Sequence, residues 1–173
     1  GYKVFNPDWT CRNKQYSWPG KFEEDINISL GEKGIKKKKK AADCFNYYSF
    51  DSENHVAEVI AYGDVEEEGN KFCTDKLEIV REIPWFELLE IVNTGKGCTG
   101  LRNSGDYNSG DRNSGHYNSG NYNSGYYNSG YYNSGNRNSG YYNSGHYNSG
   151  NYNSGNYNSG DYNSGDCNIG NYN

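Results

Sequence analysis

The chain has 173 residues, with 19 Tyr, 23 Gly, no Met and a formal net charge of −5. That length suits one or two domains, and the composition departs from that of an ordinary globular protein. No apolar run approaches the roughly 18 residues that a spanning helix needs, and no secretory apolar segment is visible, so no membrane partner is expected.

The lack of Met extends to position 1, so Gly1 reads as a processed or artificial start. Residues 1–92 hold 13 Lys/Arg and 18 Asp/Glu, while residues 93–173 balance four against four. The first half is acidic and the second neutral. Cys11, Cys44, Cys73, Cys98 and Cys167 stand singly. Their odd number and lack of Cys-x-x-Cys spacing argue against a zinc site and a disulfide framework. Buried free thiols in a bacterial cytoplasm are the favoured reading, with an extracellular filament as the alternative.

In chain order, Lys3–Phe5 is a short strand candidate, and Lys39–Tyr48 predicts a helix with Ala41, Phe45 and Tyr48 on one stripe. His55–Tyr62 predicts a strand, dense in β-branched residues. Phe72–Ile83 predicts another, with Leu77 and Ile79 on one face and Val80 on the other. Pro84–Val92 predicts a helix that starts with Pro in its first turn and buries Trp85, Leu88, Leu89 and Val92. The mix predicts a small α+β domain over residues 1–92 with a modest core.

The remainder, 93–173, is a repeat. Asn93-Thr94-Gly95 already has the Asn-x-Gly form, and Cys98-Thr99-Gly100 keeps the spacing. From Asn103 to Asn173 every fifth residue is Asn, followed by Ser until Ile169. The helix end meets the repeat with no linker, which predicts a rigid fusion.

A strict period predicts a repeat architecture. Fivefold spacing suits a right-handed, four-sided β-solenoid, with one pentapeptide per side and about 20 residues per coil. Stacked at roughly 4.8 Å, residues 93–173 would then make about four coils and a rod of about 20 Å, placing residue 123 directly over residue 103. The slot two after Gly is Tyr or Arg, with one Cys. The slot one after Gly holds mainly Asp, His, Asn or Tyr. Such variation belongs to solvent, so the constant Asn, Ser and Gly face inward or form corners. The expected inward ladder is Asn103, Asn108, Asn113, Asn118, Asn123, Asn128, Asn133, Asn138, Asn143, Asn148, Asn153, Asn158, Asn163 and Asn168, each amide bonding its copies above and below. Gly supplies corners with positive φ. A second register, with Gly and Tyr inward, would bury Arg102, Arg112 and Arg137 without partners.

Outside, three Tyr columns are expected as contact surfaces: Tyr122, Tyr142 and Tyr162; Tyr107, Tyr127 and Tyr147; Tyr132, Tyr152 and Tyr172.

These motifs carry a resemblance. Asn-x-Gly at fivefold spacing resembles the pentapeptide repeats of mycobacterial surface-associated proteins and some phage proteins. KVFNPDWTC, DCFNYYSF, VREIPW and VNTGKG, in that order, resemble an uncharacterised domain found ahead of such repeats in phage and bacterial genomes. The resemblance covers nearly the whole chain and implies no catalytic residues. The chain departs from it at Lys36–Lys40, where the family has a His-Phe-Cys-like stretch. It also stops in register, where the family closes with an irregular segment.

Other motifs read blandly. Lys36–Lys40 could meet phosphate or an acidic surface, but a solvated loop or helix start is favoured. His116 and His146 occupy the variable repeat slot as surface decoration, and His55 shows no partner in sequence. Glu66-Glu67-Glu68 before Gly69-Asn70 predicts a hairpin turn. The unslipped spacing argues against a disordered low-complexity segment.

No catalytic set, metal site or cofactor motif is visible, so an enzyme is not expected. A structural protein is favoured, in which an open last coil and the Tyr columns drive assembly into filaments or oligomers. The alternative is a phage-encoded module that binds a host protein through the repeat surface. Imitation of duplex DNA would need an acidic surface, and single-stranded nucleic acid would need net positive charge, so neither suits neutral repeats.

Overall fold

The structure, a computed structural model, describes residues 1–25, 28 and 33–173. The chain divides into two compact units, Gly1–Ile91 and Val92–Asn173.

The first unit is built on a sheet. Its strands are β1 (Tyr2–Phe5), β2 (Thr10–Cys11), β3 (Lys14–Gln15), β4 (Gly20–Glu23), β5 (Ile35–Lys38), β6 (His55–Ala61), β7 (Val65–Glu68), β8 (Lys71–Thr74) and β9 (Lys76–Glu82), with α1 (Ala41–Cys44) and α2 (Trp85–Val92). Seven strands form one antiparallel sheet in the order β4-β9-β6-β1-β5-β8-β7, and β2 pairs with β3 as a separate ribbon. Phe5, Ala57, Val59, Leu77 and Ile79 alternate inward from β1, β6 and β9 and pack with Tyr16 and Ile35 as the core. Val80 faces out, as alternation requires.

Several elements differ from the reading of the sequence. The run over Phe72–Ile83 is two strands. Asp75 breaks it, and β8 pairs with β5 and β7 while β9 pairs with β4 and β6. The helix expected over Lys39–Tyr48 shortens to one turn, Ala41–Cys44. Lys36–Lys38 is neither loop nor helix start but part of strand β5, paired on both sides. Its ammonium groups lie over rings, Lys37 Nζ 4.4 Å from the Phe72 centroid and Lys38 Nζ 4.5 Å from that of Tyr47. The aliphatic stems thus behave as apolar surface. The hairpin at Gly69-Asn70 joins β7 to β8, with Gly69 at φ +61, where a two-residue turn favours glycine. In α2, Leu88 and Val92 are buried, Trp85 and Leu89 are half-buried, and Phe86 is exposed. Arg81 of β9 grips both Glu58 (3.0 Å) and Glu87 of α2 (2.7 and 2.9 Å), which ties the helix start to the sheet.

The second unit is a β-solenoid. Strands β10 (Ser114–His116), β12 (Ser124–Tyr126), β14 (Ser134–Asn136), β16 (Ser144–His146) and β18 (Ser154–Asn156) stack in parallel on one side. On the other side stack β11 (Ser119–Asn121), β13 (Ser129–Tyr131), β15 (Ser139–Tyr141) and β17 (Ser149–Asn151). The register is Ser114↔Ser124 and Ser119↔Ser129, so one coil takes ten residues. Single bridges carry this register from Ser104 to Ile169.

The expected four-sided coil of 20 residues is therefore corrected to a two-sided coil of ten. Residue 113 lies over residue 103, and residue 123 is two coils on. Residues 93–173 make about eight coils rather than four, in a stack of roughly 40 Å at the strand spacing. The reason is the size of the filling. A square coil encloses space for large apolar side chains, and here the inward residues from Asn103 to Asn163 are all Asn. The coil flattens until each amide reaches the opposite wall. Two left-handed positions per pentapeptide allow so tight a reversal: Gly130 at φ +112 and Tyr132 at φ +57 are one such pair.

Among the described residues, no helix is long and apolar enough to cross a membrane.

Candidate functional site

Asn103 to Asn163 are buried at 1–2% exposure in each coil, and Asn168 is half-buried. The register with Gly and Tyr inward is thereby excluded. The ladder differs in wiring from the one expected. Asn133 Oδ1 accepts from the backbone N–H of Asn143 (3.1 Å), while its Nδ2 donates to the carbonyls of Ser129 (3.2 Å) and Gly140 (2.8 Å). The first bond joins successive coils, and the Gly140 bond crosses to the opposite wall. The same pattern recurs at Asn123 and Asn143. Direct amide–amide bonds are fewer, as from Asn118 to Asn108 and from Asn153 to Asn143, both 3.1 Å. Side chains thus satisfy buried backbone groups, which would be costly to leave unpaired. Cys98, in an Asn slot, imitates half of this by placing its thiol 3.3 Å from the Gly105 carbonyl.

Ser is exposed rather than inward. Gly packs edge to edge between coils: a Cβ on Gly130 would overlap the Gly140 carbonyl oxygen. That close approach explains the constant Gly.

The variable slot holds a second ladder that the sequence reading took for surface decoration. Asn136 N–H donates to His146 Nδ1 (3.1 Å), His146 N–H to Asn156 Oδ1 (3.0 Å), and Asn156 N–H to Asp166 Oδ1 (2.6 Å). His116 accepts likewise from Asp106 N–H at 2.9 Å. Asn, Asp and His share an acceptor at the same distance from Cα. Their joint occurrence in one slot, without Gln, Glu or Ser, was the signal available in the sequence.

The ten-residue coil also changes the Tyr columns. The two expected columns of Tyr122, Tyr142 and Tyr162 and of Tyr132, Tyr152 and Tyr172 merge into one. Its six rings are stacked at centroid distances of 4.7, 4.9, 5.0, 4.9 and 5.1 Å. Interplanar angles are 10° or less. On the other side Tyr107, Tyr117 and Tyr127 stack, then Arg137 intervenes, then Tyr147 and Tyr157. The Arg137 guanidinium lies 5.8 Å from the Tyr127 ring and 5.2 Å from that of Tyr147, and it donates to Tyr147 Oη at 2.8 Å. A flat cation substitutes for a ring in the stack. Tyr126, Tyr131 and Tyr141, in the variable slot, add shorter stacks.

The rings of the two long columns, Tyr122 to Tyr172 and Tyr107 to Tyr157, sit on left-handed backbone, φ +56 to +60, which costs an ordinary residue about 1–2 kcal/mol. Stacking against the coils above and below offsets part of that at about 0.5–1.5 kcal/mol per pair. Each ring remains partly open to solvent, from 39% exposed at Tyr122 to 78% at Tyr172.

In the first unit, His55 does have a carboxylate partner. Its Nδ1 lies 2.6 Å from Glu82 Oε1, and its ring stacks on Trp9 at 4.3 Å. Cys11, Cys44, Cys73 and Cys98 are buried and free, whereas Cys167, in a Tyr slot, is exposed. Among the described residues, no cluster of three or more His, Cys, Asp or Glu could hold a metal ion.

The stacked coils and the sheet unit each match a family. Residues 91–130, 117–156 and 137–173 match the model described as "Pentapeptide repeats (8 copies)". Residues 1–91 match "Domain of unknown function (DUF7666)". No curated protein and no solved structure matches the chain. With more than half of its length under the DUF7666 model and the rest under the repeat model, the chain belongs to the DUF7666 family and carries a pentapeptide-repeat β-solenoid behind that domain.

Proposed function

We propose that this protein is a non-enzymatic structural module that self-associates side by side through its Tyr columns. The observation that carries this reading is the unbroken stack from Tyr122 to Tyr172. It presents a straight, rigid aromatic edge along much of the solenoid, and such continuous exposed apolar surface marks contact. The rings are fixed by their stacking, so little side-chain entropy is lost when another surface covers them. Tyr also leaves a hydroxyl at the rim for hydrogen bonds to a partner.

Sedimentation velocity across a concentration series tests this. The expected result is mass growing with concentration, and reversion to monomer in a Tyr132→Asn/Tyr152→Asn variant that keeps its circular dichroism. Asn accepts the left-handed backbone at these positions, so the variant removes the ring without breaking the coil. A clean monomer at every concentration overturns the reading. Capture of one specific bacterial protein by the monomer, lost in the same variant, would instead favour a module that binds a host protein.

A further inference from the structure

The first unit carries a net charge of −5 over residues 1–92, yet eight of the twenty described residues that line its cavity of about 900 Å³ are cations. Lys3 of β1 and Lys36, Lys37 and Lys38 of the adjacent strand β5 line it. Arg12, Lys14, Lys33 and Lys71 complete the wall. Among the described residues the one carboxylate of the lining, Glu24, is engaged by Lys14 at 2.7 Å.

Two of these cations are buried: Lys3 at 5% exposure and Lys38 at 9%. Among the described residues, neither has a carboxylate within ion-pair distance. Lys3 Nζ makes do with the Cys11 sulfur and the Lys36 carbonyl, both at 3.1 Å, and with the Phe5 and Tyr16 rings at 5.4 and 5.1 Å. Lys37 is crowded as well. Burial foremost depresses its ammonium pKa, and repulsion from Lys39 adds to this against the attraction of Glu67. Buried ammonium groups normally find a counter-charge. Here Lys3 and Lys38 border a hollow with no such carboxylate partner among the described residues.

We propose that this cavity binds a small molecule carrying two or more linked phosphate groups. The chemistry fits in three respects. The volume falls within the roughly 300–1,000 Å³ of small-molecule sites. A concave, low-dielectric wall of one sign concentrates the opposite charge. Several ammonium groups on neighbouring strands suit an anion whose charges are spread over linked groups better than a single carboxylate. The Lys36–Lys38 run, whose Lys37 and Lys38 pack over rings, also becomes one wall of the site.

Calorimetric titration of the full chain at physiological salt tests this with sodium tripolyphosphate and, separately, adenosine triphosphate without metal. The expected result is saturable 1:1 binding of at least one probe. Comparable affinities assign the site to the phosphate chain alone, and much tighter nucleotide binding assigns it to a nucleotide. Lys37→Gln/Lys71→Gln, at positions where the charge can be removed without opening the core, should weaken binding by about tenfold or more. Lys21→Gln/Lys40→Gln removes the same charge outside the cavity and should leave binding unchanged. No saturable binding of either probe, or equal losses in the two double variants, overturns the proposal. So does a single-stranded oligonucleotide that binds tighter than both probes. Binding here is independent of the sedimentation behaviour of the Tyr variants, so the two readings fail separately.

Discussion

The backbone N–H of Asn143 points at the side-chain oxygen of Asn133, ten residues earlier and one coil away, at 3.1 Å. Through that bond and two from its Nδ2, one side chain ties together three backbone groups of a narrow interior. Asn133→Ala should therefore lose about 3 kcal/mol or more, because each buried backbone group left without a partner costs about 1–3 kcal/mol. Chemical denaturation followed by circular dichroism measures it, and a loss below that of an ordinary surface substitution would contradict the wiring described.

Gly130 and Gly69 separate two reasons for glycine. Both have positive φ, +112 and +61, but only Gly130 would drive a Cβ into a neighbouring carbonyl, while Gly69 faces open space. Gly69→Ala should cost about 1–2 kcal/mol, for backbone strain alone. Gly130→Ala adds overpacking of about 1–3 kcal/mol and a still less suitable φ, so it should exceed Gly69→Ala clearly. Thermal unfolding of the two variants side by side gives the order.

His146 accepts from Asn136 N–H through Nδ1. Replacement by Asn, which carries an acceptor at the same reach, should be nearly neutral. His146→Leu should cost about 1 kcal/mol. Equal stability of the two variants by thermal unfolding would return this slot to mere surface decoration.

Cys44 and Cys167 should react very differently with a thiol reagent at pH 8. Cys167 is exposed. Burial pushes the Cys44 thiol up to about 12 from its ordinary 9.0, against the pull of Lys3 and Lys38. Rapid modification of Cys167 alone, with Cys44 following only on unfolding, is the expected mass-spectrometric result. The same shift links to stability. The unfolded thiol releases its proton first as pH rises, so this group's contribution is intact below about pH 9 and drains away between about 9 and 12. A Cys44→Ala variant should show a shallower fall of stability over that range.

The unbroken Asn spacing and the constant Gly were enough to read a solenoid with Asn inside, because a side chain that must meet its own copy in every coil cannot vary. The strands at Lys3, His55 and Leu77 were legible for the same kind of reason: alternation and β-branching are local. The number of pentapeptides per coil was not legible from the period alone. A five-residue period is compatible with two sides or four, and the choice depends on how far the interior side chains reach. The short reach of Asn selects two sides, and that in turn merges the Tyr columns and doubles the number of coils. Tertiary packing also decided that Lys36–Lys38 is a strand, since its pairing partners, Cys73 to Lys71, lie more than thirty residues away. The Glu82 partner of His55 was out of view for the same reason. Charge and periodicity are properties of the chain, whereas register and enclosure arise only when distant strands pair.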